Sequence, residues 1–182
     1  MRIVTTGIPD VKIVEPRVLG DERGYFLETW REDLFHAAGI DAHFVQDNQS
    51  SSGQGVLRGL HYQIRQPQGK LVRVIAGRVF DVAVDLRRGS PTCGRWTGVE
   101  LSAENRRLMW VPPGFGHGFY VLSEGAEFVY KCSDYYAPEH ERVIRWDDPE
   151  LGIAWPLVPG VATVLSDKDR AGVPFAAAEL FP

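Results

Sequence analysis

Cysteine is scarce in this chain of 182 residues, with Cys93 and Cys132 the only two. They form neither a CxxC pair nor a disulfide framework, which excludes a thioredoxin-like motif, a zinc ribbon and a disulfide-stapled secreted domain. Both read as small buried hydrophobes in a reducing, cytoplasmic setting. Long apolar runs are missing too. None approaches the roughly 20 residues of a membrane span, and Met1-Arg2-Ile3-Val4-Thr5-Thr6 has no apolar segment of a signal peptide behind its single charge. There is no basic excess. A formal net charge of −4 leaves no surface to neutralise phosphates, so no nucleic-acid partner is expected. The arginine doublets Arg87-Arg88 and Arg106-Arg107 read as solvated turns. Without repeats, low-complexity stretches or linkers, residues 1–182 form one domain long enough for a real core.

Helix signals are few. Thr29 with Glu32 reads as a capping box, Leu34 and Phe35 as an apolar patch, and Gly39 as a C-terminal cap. The segments 42–48, 56–63, 70–76, 78–86, 95–101, 107–111, 118–122 and 126–132 read as strands. Short turns such as Ala76-Gly77-Arg78 and Ser123-Glu124-Gly125 separate several of them. Many short strands at close spacing imply an antiparallel sandwich or barrel. The alanine-rich tail, 166–182, is expected to wrap the body with a turn or two of helix. Gln46 and Asn48 share one strand face, as do His61 and Gln63. Polar faces on several strands of a small barrel point to a ligand cavity in its mouth.

Of the five histidines, His36 and His140 read as surface residues, and His43 lacks polar company. His61 lies in Arg58-Gly59-Leu60-His61-Tyr62-Gln63. His117 follows a Gly/Pro-rich turn in Pro112-Pro113-Gly114-Phe115-Gly116-His117. Metal-binding cupin barrels carry a His-x-His pair and then a Pro-x-Gly-x-x-His segment. Here the second segment is present, but the partner of His61 is Gln63, which leaves fewer than three metal ligands. A cupin shape without a metal is therefore expected. His61 titrates near neutrality and can act as a general base. Tyr130 is either a core aromatic or an acid working opposite it, and Lys70 opens a strand in a chain poor in lysine.

Taken in order, the longer motifs resemble the dTDP-4-dehydrorhamnose 3,5-epimerase family. They are Gly20-Asp21-Glu22-Arg23-Gly24-Tyr25-Phe26-Leu27-Glu28, Phe44-Val45-Gln46-Asp47-Asn48-Gln49-Ser50, Val56-Leu57-Arg58-Gly59-Leu60-His61-Tyr62-Gln63, Gly69-Lys70-Leu71-Val72-Arg73, Val79-Phe80-Asp81-Val82-Ala83-Val84-Asp85, Phe128-Val129-Tyr130-Lys131 and Leu165-Ser166-Asp167-Lys168-Asp169. The resemblance implies a mainly β, cupin-type double-stranded β-helix (jelly-roll) barrel with a few short peripheral helices. It also implies cofactor-free epimerisation of a dTDP-4-keto-6-deoxy-hexose at C3 and C5, in a cytoplasmic homodimer. By position, His61 resembles the base, Asp169 its paired carboxylate, Tyr130 the acid and Lys70 the group facing the C4 oxygen. Arg23, Glu28, Gln46, Asn48, Arg58, His117, Glu141 and Lys168 fall on substrate-binding positions. The same motifs suit a monoepimerase at C3 or C5, or, more remotely, a cupin that only binds nucleotide sugars.

Overall fold

Strands with one apolar and one polar face need a second sheet to bury the apolar one, and this chain folds into two facing sheets. The computed structural model describes residues 1–182 throughout. One sheet has six strands: β1 (Arg2–Thr5), β2 (Lys12–Glu15), β5 (Gln46–Gly53), β7 (Lys70–Ala76), β10 (Leu108–Val111) and β12 (Gly125–Cys132), in the order β1-β2-β10-β7-β12-β5. The other has five: β6 (Leu57–Gln63), β8 (Arg78–Asp85), β9 (Trp96–Ser102), β11 (Phe115–Val121) and β13 (Glu141–Val143), in the order β13-β6-β11-β8-β9. Both are antiparallel throughout. This is the jelly-roll barrel of the cupin type. A separate hairpin pairs β3 (Val18–Asp21) with β4 (Gly24–Leu27).

The main core lies between the sheets. Val72, Val74, Met109 and Phe128 of the first meet Val79, Ala83, Leu101, Phe119 and Val121 of the second. Each Val, Leu, Met or Phe among them, fully buried, contributes roughly 1.5–3 kcal/mol. Phe119 and Phe128 stack with ring centroids 4.3 Å apart, and both also line the cavity described below, so they mark where core gives way to site. The outer face of the five-stranded sheet is covered by the C-terminal third, through Ile144, Leu151 and Ala178 against Leu60, Val82, Val84 and Leu86. Helix α1 (Glu32–Ala37) packs Phe35 near Val14, Leu71 and Leu108 of the other sheet.

Several expectations need correction. The helix does not use Thr29 as a cap. It starts two residues later, after an extended Arg31 with no side-chain cap, and Asp33 accepts hydrogen bonds from Arg31 and from the Leu34 amide instead. Gly39 does end it, at φ +76°, a conformation that suits glycine. The strand expected at 42–48 runs Gln46–Gly53, because serines that look like loop pair with β12 along its whole length. The strand at 118–122 begins earlier, at Phe115. Strands β1 to β4 and β13 are short and were not expected. Arg87 is no solvated turn residue. It pairs with Asp85 at 2.8 Å and Asp10 at 2.7 Å and lies over the Phe115 ring. Arg106 likewise lies over Tyr25. The tail does wrap the body, with α2 (Asp167–Arg170) and a 3-10 turn at Phe175–Ala177.

Candidate active site

Two bare glycines bring β6 and β11 together. A Cβ on Gly59, whose φ is +133°, would lie 2.5 Å from the Cα of Gly118, and one on Gly118 would lie 2.7 Å from the Arg58 carbonyl oxygen. With hydrogen at both positions, β6 and β11 approach closely and the register slips between His117 and Phe119. His61 and His117 thereby become direct cross-strand partners, and both line one cavity of about 330 Å³ in the barrel mouth.

Each histidine has its own carboxylate. His61 Nε2 lies 2.5 Å from Asp169 Oδ1. This contact occupies one ring nitrogen and leaves the other to take a proton. The Gly59 amide donates to the same oxygen at 3.2 Å, and the Ser166 hydroxyl donates to Asp169 Oδ2 at 2.6 Å. Burial alone would raise the Asp169 pKa, but these hydrogen bonds, with His61 foremost, hold it at about 2. The His61 pKa is lowered, first by burial and further by the charges of Lys168 and Lys70, against the pull of Asp169. A neutral imidazole held by an ionised carboxylate is the resting form of a general base. His117 Nε2 contacts Asp81 at 2.9 and 3.1 Å, and both side chains are buried. Burial raises the Asp81 pKa, with His117 and Lys70 opposing.

The opposite wall comes from the six-stranded sheet. Tyr130 on β12 and Lys70 on β7 line the same cavity, one strand apart, with Lys70 paired in register to Cys132. Burial lowers the Lys70 pKa, and the charges that oppose this, from Cys132, Glu141 and Asp81, act through space. Burial also raises the Tyr130 pKa, so the phenol keeps its proton. An imidazole on one sheet thus shares the cavity with a proton-bearing phenol and a lysine on the other.

The mouth is polar. Lys168 donates to Glu141 at 2.8 Å, the Tyr136 hydroxyl donates to the other Glu141 oxygen at 3.1 Å, and the Tyr136 amide donates to Gln46 at 2.9 Å. Gln46 donates in turn to Asn48 at 3.1 Å, and Arg58 donates to Ser52. Ten of the expected site residues therefore line or directly frame this cavity: His61, Tyr130, Lys70, His117, Gln46, Asn48, Arg58, Glu141 and Lys168 as lining residues, and Asp169 through His61. Arg23 and Glu28 do not. Arg23 sits exposed at the β3–β4 turn, paired with Asp21, and Glu28 follows β4 on the surface, because that hairpin belongs to neither barrel sheet.

Sequence reasoning missed Asp81, Ser166 and Tyr136. Asp81 carried a signal: an acid in the apolar strand Val79-Phe80-Asp81-Val82 is costly to bury unless it is paired. Gln63, at the place where metal cupins have a second histidine, is fully engaged elsewhere. Its amide nitrogen donates to the carbonyls of Gln66 and Tyr135, and its oxygen accepts from the Ala137 amide. It braces loops at the mouth.

Residues 5–177 match the family model for dTDP-4-dehydrorhamnose 3,5-epimerase. The chain belongs to the dTDP-4-dehydrorhamnose 3,5-epimerase family. It is 62% identical over 183 residues to the dTDP-4-dehydrorhamnose 3,5-epimerase of Pseudomonas aeruginosa, with 100% of each chain covered. Its fold superposes with a TM-score of 0.94 on the dTDP-6-deoxy-D-glucose-3,5-epimerase of Legionella pneumophila, solved in complex with dTDP-4-keto-L-rhamnose. That protein is 54% identical, and the match covers 98% of this chain and 94% of the other. A 3'-monoepimerase from Streptomyces bikiniensis, solved with dTDP-quinovose, is 38% identical with a TM-score of 0.88, over 95% of this chain and 87% of its own. The epimerase family's fold is thus shared by enzymes that differ in how many carbons they invert.

Proposed function

We propose that this epimerase inverts C3 and C5 of dTDP-4-dehydro-6-deoxy-D-glucose, giving dTDP-4-dehydro-L-rhamnose for L-rhamnose biosynthesis, with no metal or cofactor. The observation that carries the reading is the placement of His61 and Tyr130 on opposite sheets of one cavity, with Lys70 beside Tyr130. A flat sugar ring between the sheets would present one face to a base and the other to an acid, and inversion needs that arrangement.

His61 takes the proton from the carbon beside the C4 ketone, and the C–H electrons move into the ring to form an enolate. Such a proton is far less acidic than an imidazolium, so the step depends on stabilising charge at the C4 oxygen, which Lys70 supplies. Tyr130 then donates its phenolic proton to the opposite face of the same carbon. The imidazolium and the phenolate exchange protons with solvent before the second carbon reacts. Asp169 keeps His61 in one tautomer and stabilises its charged form. His117, held by Asp81, contacts the sugar. Gln46, Asn48, Arg58, Glu141 and Lys168 bind the nucleotide-sugar, with the Arg58 guanidinium suited to pyrophosphate.

The enzyme is also proposed to act as a cytoplasmic homodimer. Cys93 and Cys132 are free thiols, which suits a reducing compartment. The β3–β4 hairpin leaves Leu19, Tyr25 and Phe26 half or more exposed, an apolar surface that a second copy would cover. Arg23 and Glu28, outside the cavity of their own chain, take a binding role only across such an interface.

The test is proton NMR of dTDP-4-keto-6-deoxyglucose incubated with enzyme in deuterium oxide. Deuterium at both C3 and C5 is expected. Entry at one carbon would make this chain a monoepimerase, and the 62% identity to a 3,5-epimerase against 38% to a 3'-monoepimerase weighs against that outcome. No entry at either carbon would leave a nucleotide-sugar-binding cupin.

A further inference from the structure

The Ser166 hydroxyl makes two hydrogen bonds to the same residue. Its oxygen accepts from the Asp169 amide at 3.2 Å, and its proton goes to Asp169 Oδ2 at 2.6 Å. The first contact is that of an ordinary N-cap, since Ser166 precedes α2 with an extended backbone and Asp169 is the third residue of that helix. The second is not. In the usual capping box a longer Glu or Gln at the third position reaches back to the backbone amide of the cap residue. Aspartate is one methylene shorter. Here one of its oxygens stops at the serine hydroxyl, and the other is left for His61 and the Gly59 amide.

We propose that Ser166 is a positioning residue of proton abstraction: its hydroxyl clamps Asp169 Oδ2 and so dedicates Oδ1 to His61. Without the clamp, the buried carboxylate of Asp169, carried on a short four-residue helix, keeps only the contacts at Oδ1 and is less tightly fixed about its last bond. His61 then loses its fixed orientation toward the substrate carbon. The proposal rests on the reading of His61 as the base.

The clamp also sets how hard Asp169 pulls on the imidazole proton. A charge-assisted hydrogen bond from serine withdraws electron density from the carboxylate. Removing it makes Asp169 more basic, and the His61 imidazolium is then better stabilised. The charged and titratable groups around His61 are Asp169 and Lys168 from α2, Lys70 from β7, His117 from β11, Tyr130 from β12 and Glu141 from β13. Of these, only Asp169 contacts the Ser166 side chain. Residue 166 is itself exposed, so variants there leave the core intact.

Two variants separate the clamp from the cap. Ser166→Gly keeps nearly all of the capping preference but has no hydroxyl, whereas Ser166→Thr keeps both. In Ser166→Gly the His61 titration midpoint, followed by NMR on its ring proton, is expected to move up. The acid limb of the kcat/KM profile is expected to move with it, and kcat to fall about tenfold with little change in KM. That is the lower end of the roughly 10–100-fold losses seen when groups that orient metal-ligating histidines are removed, and Ser166 acts one contact further out, through Asp169. Ser166→Thr is expected to restore all three. The proposal is overturned if Ser166→Gly leaves both midpoint and kcat at wild-type values. It is equally overturned if Ser166→Thr fails to recover what Ser166→Gly loses, since a general effect on the helix would then be the cause. The titration needs no substrate. An upward midpoint in an enzyme that exchanges no deuterium would therefore sink the epimerase reading alone, and normal exchange with an unmoved midpoint would sink the role of Ser166 alone.

Discussion

In the proposed mechanism His61 and Tyr130 have separable jobs, and their removal is expected to have separable consequences. His61→Ala is expected to abolish both product formation and deuterium entry, because the proposed base for the carbon-bound proton is gone. Tyr130→Phe is expected to abolish inversion yet retain some wash-out of substrate hydrogens, since His61 can still take a proton and return one to the same face. Wild-type turnover in either variant, measured by NMR, would remove that residue from the mechanism. The pH dependence follows from the direction of the His61 shift. The base must be neutral, and burial with two nearby lysines lowers its pKa from 6.5. Activity is therefore present above that lowered value and lost as pH falls through it, placing the acid limb of kcat/KM below pH 6.5. A limb well above 6.5 would assign the titration to another group.

At the scale of elements, the β6–β11 contact depends on two missing side chains. Gly59→Ala would set a Cβ against backbone atoms that cannot rotate away, in a conformation unfavourable for alanine. It is expected to lower stability by about 2 kcal/mol or more, visible as a reduced urea midpoint. The loop after β8 depends on Asp85, which accepts hydrogen bonds from Arg87, Ser90 and Thr92. Burial would raise its pKa, but these donors hold it at about 2, against an ordinary 3.8. A depressed carboxylate contributes stability that is present above pH 3.8 and lost as pH falls through about 2. At about 1.4 kcal/mol per unit, its share is about 2 kcal/mol at neutral pH. Asp85→Asn is expected to cost about that much at pH 7 and little at pH 2, as read by denaturant titration at both. Most barrel strands were legible because apolar alternation is a local property. β5 was misplaced because Ser50 to Ser52 earn their strand geometry from pairing with β12, and no local pattern records a partner 75 or so residues away, an interval spanned only after folding.

For the whole molecule, the expected assembly is a homodimer that covers the β3–β4 hairpin. Light scattering at the monomer mass would overturn it. The sequence carried enough to state a mainly β fold, a cavity with polar strands in its wall, and the motifs holding His61, Lys70, Tyr130 and Asp169. Those are matters of residue type and spacing along one chain. It did not show that Asp81 belongs to His117, that Ser166 clamps Asp169, or that Arg23 and Glu28 stand outside the cavity of their own chain. Each depends on which strands and helices become neighbours. Asp169 and His61 lie 108 residues apart, and a hydrogen bond is decided over about 3 Å. Only the closed barrel brings that distance about, by setting the register of β6 against β11 and folding the tail back across them.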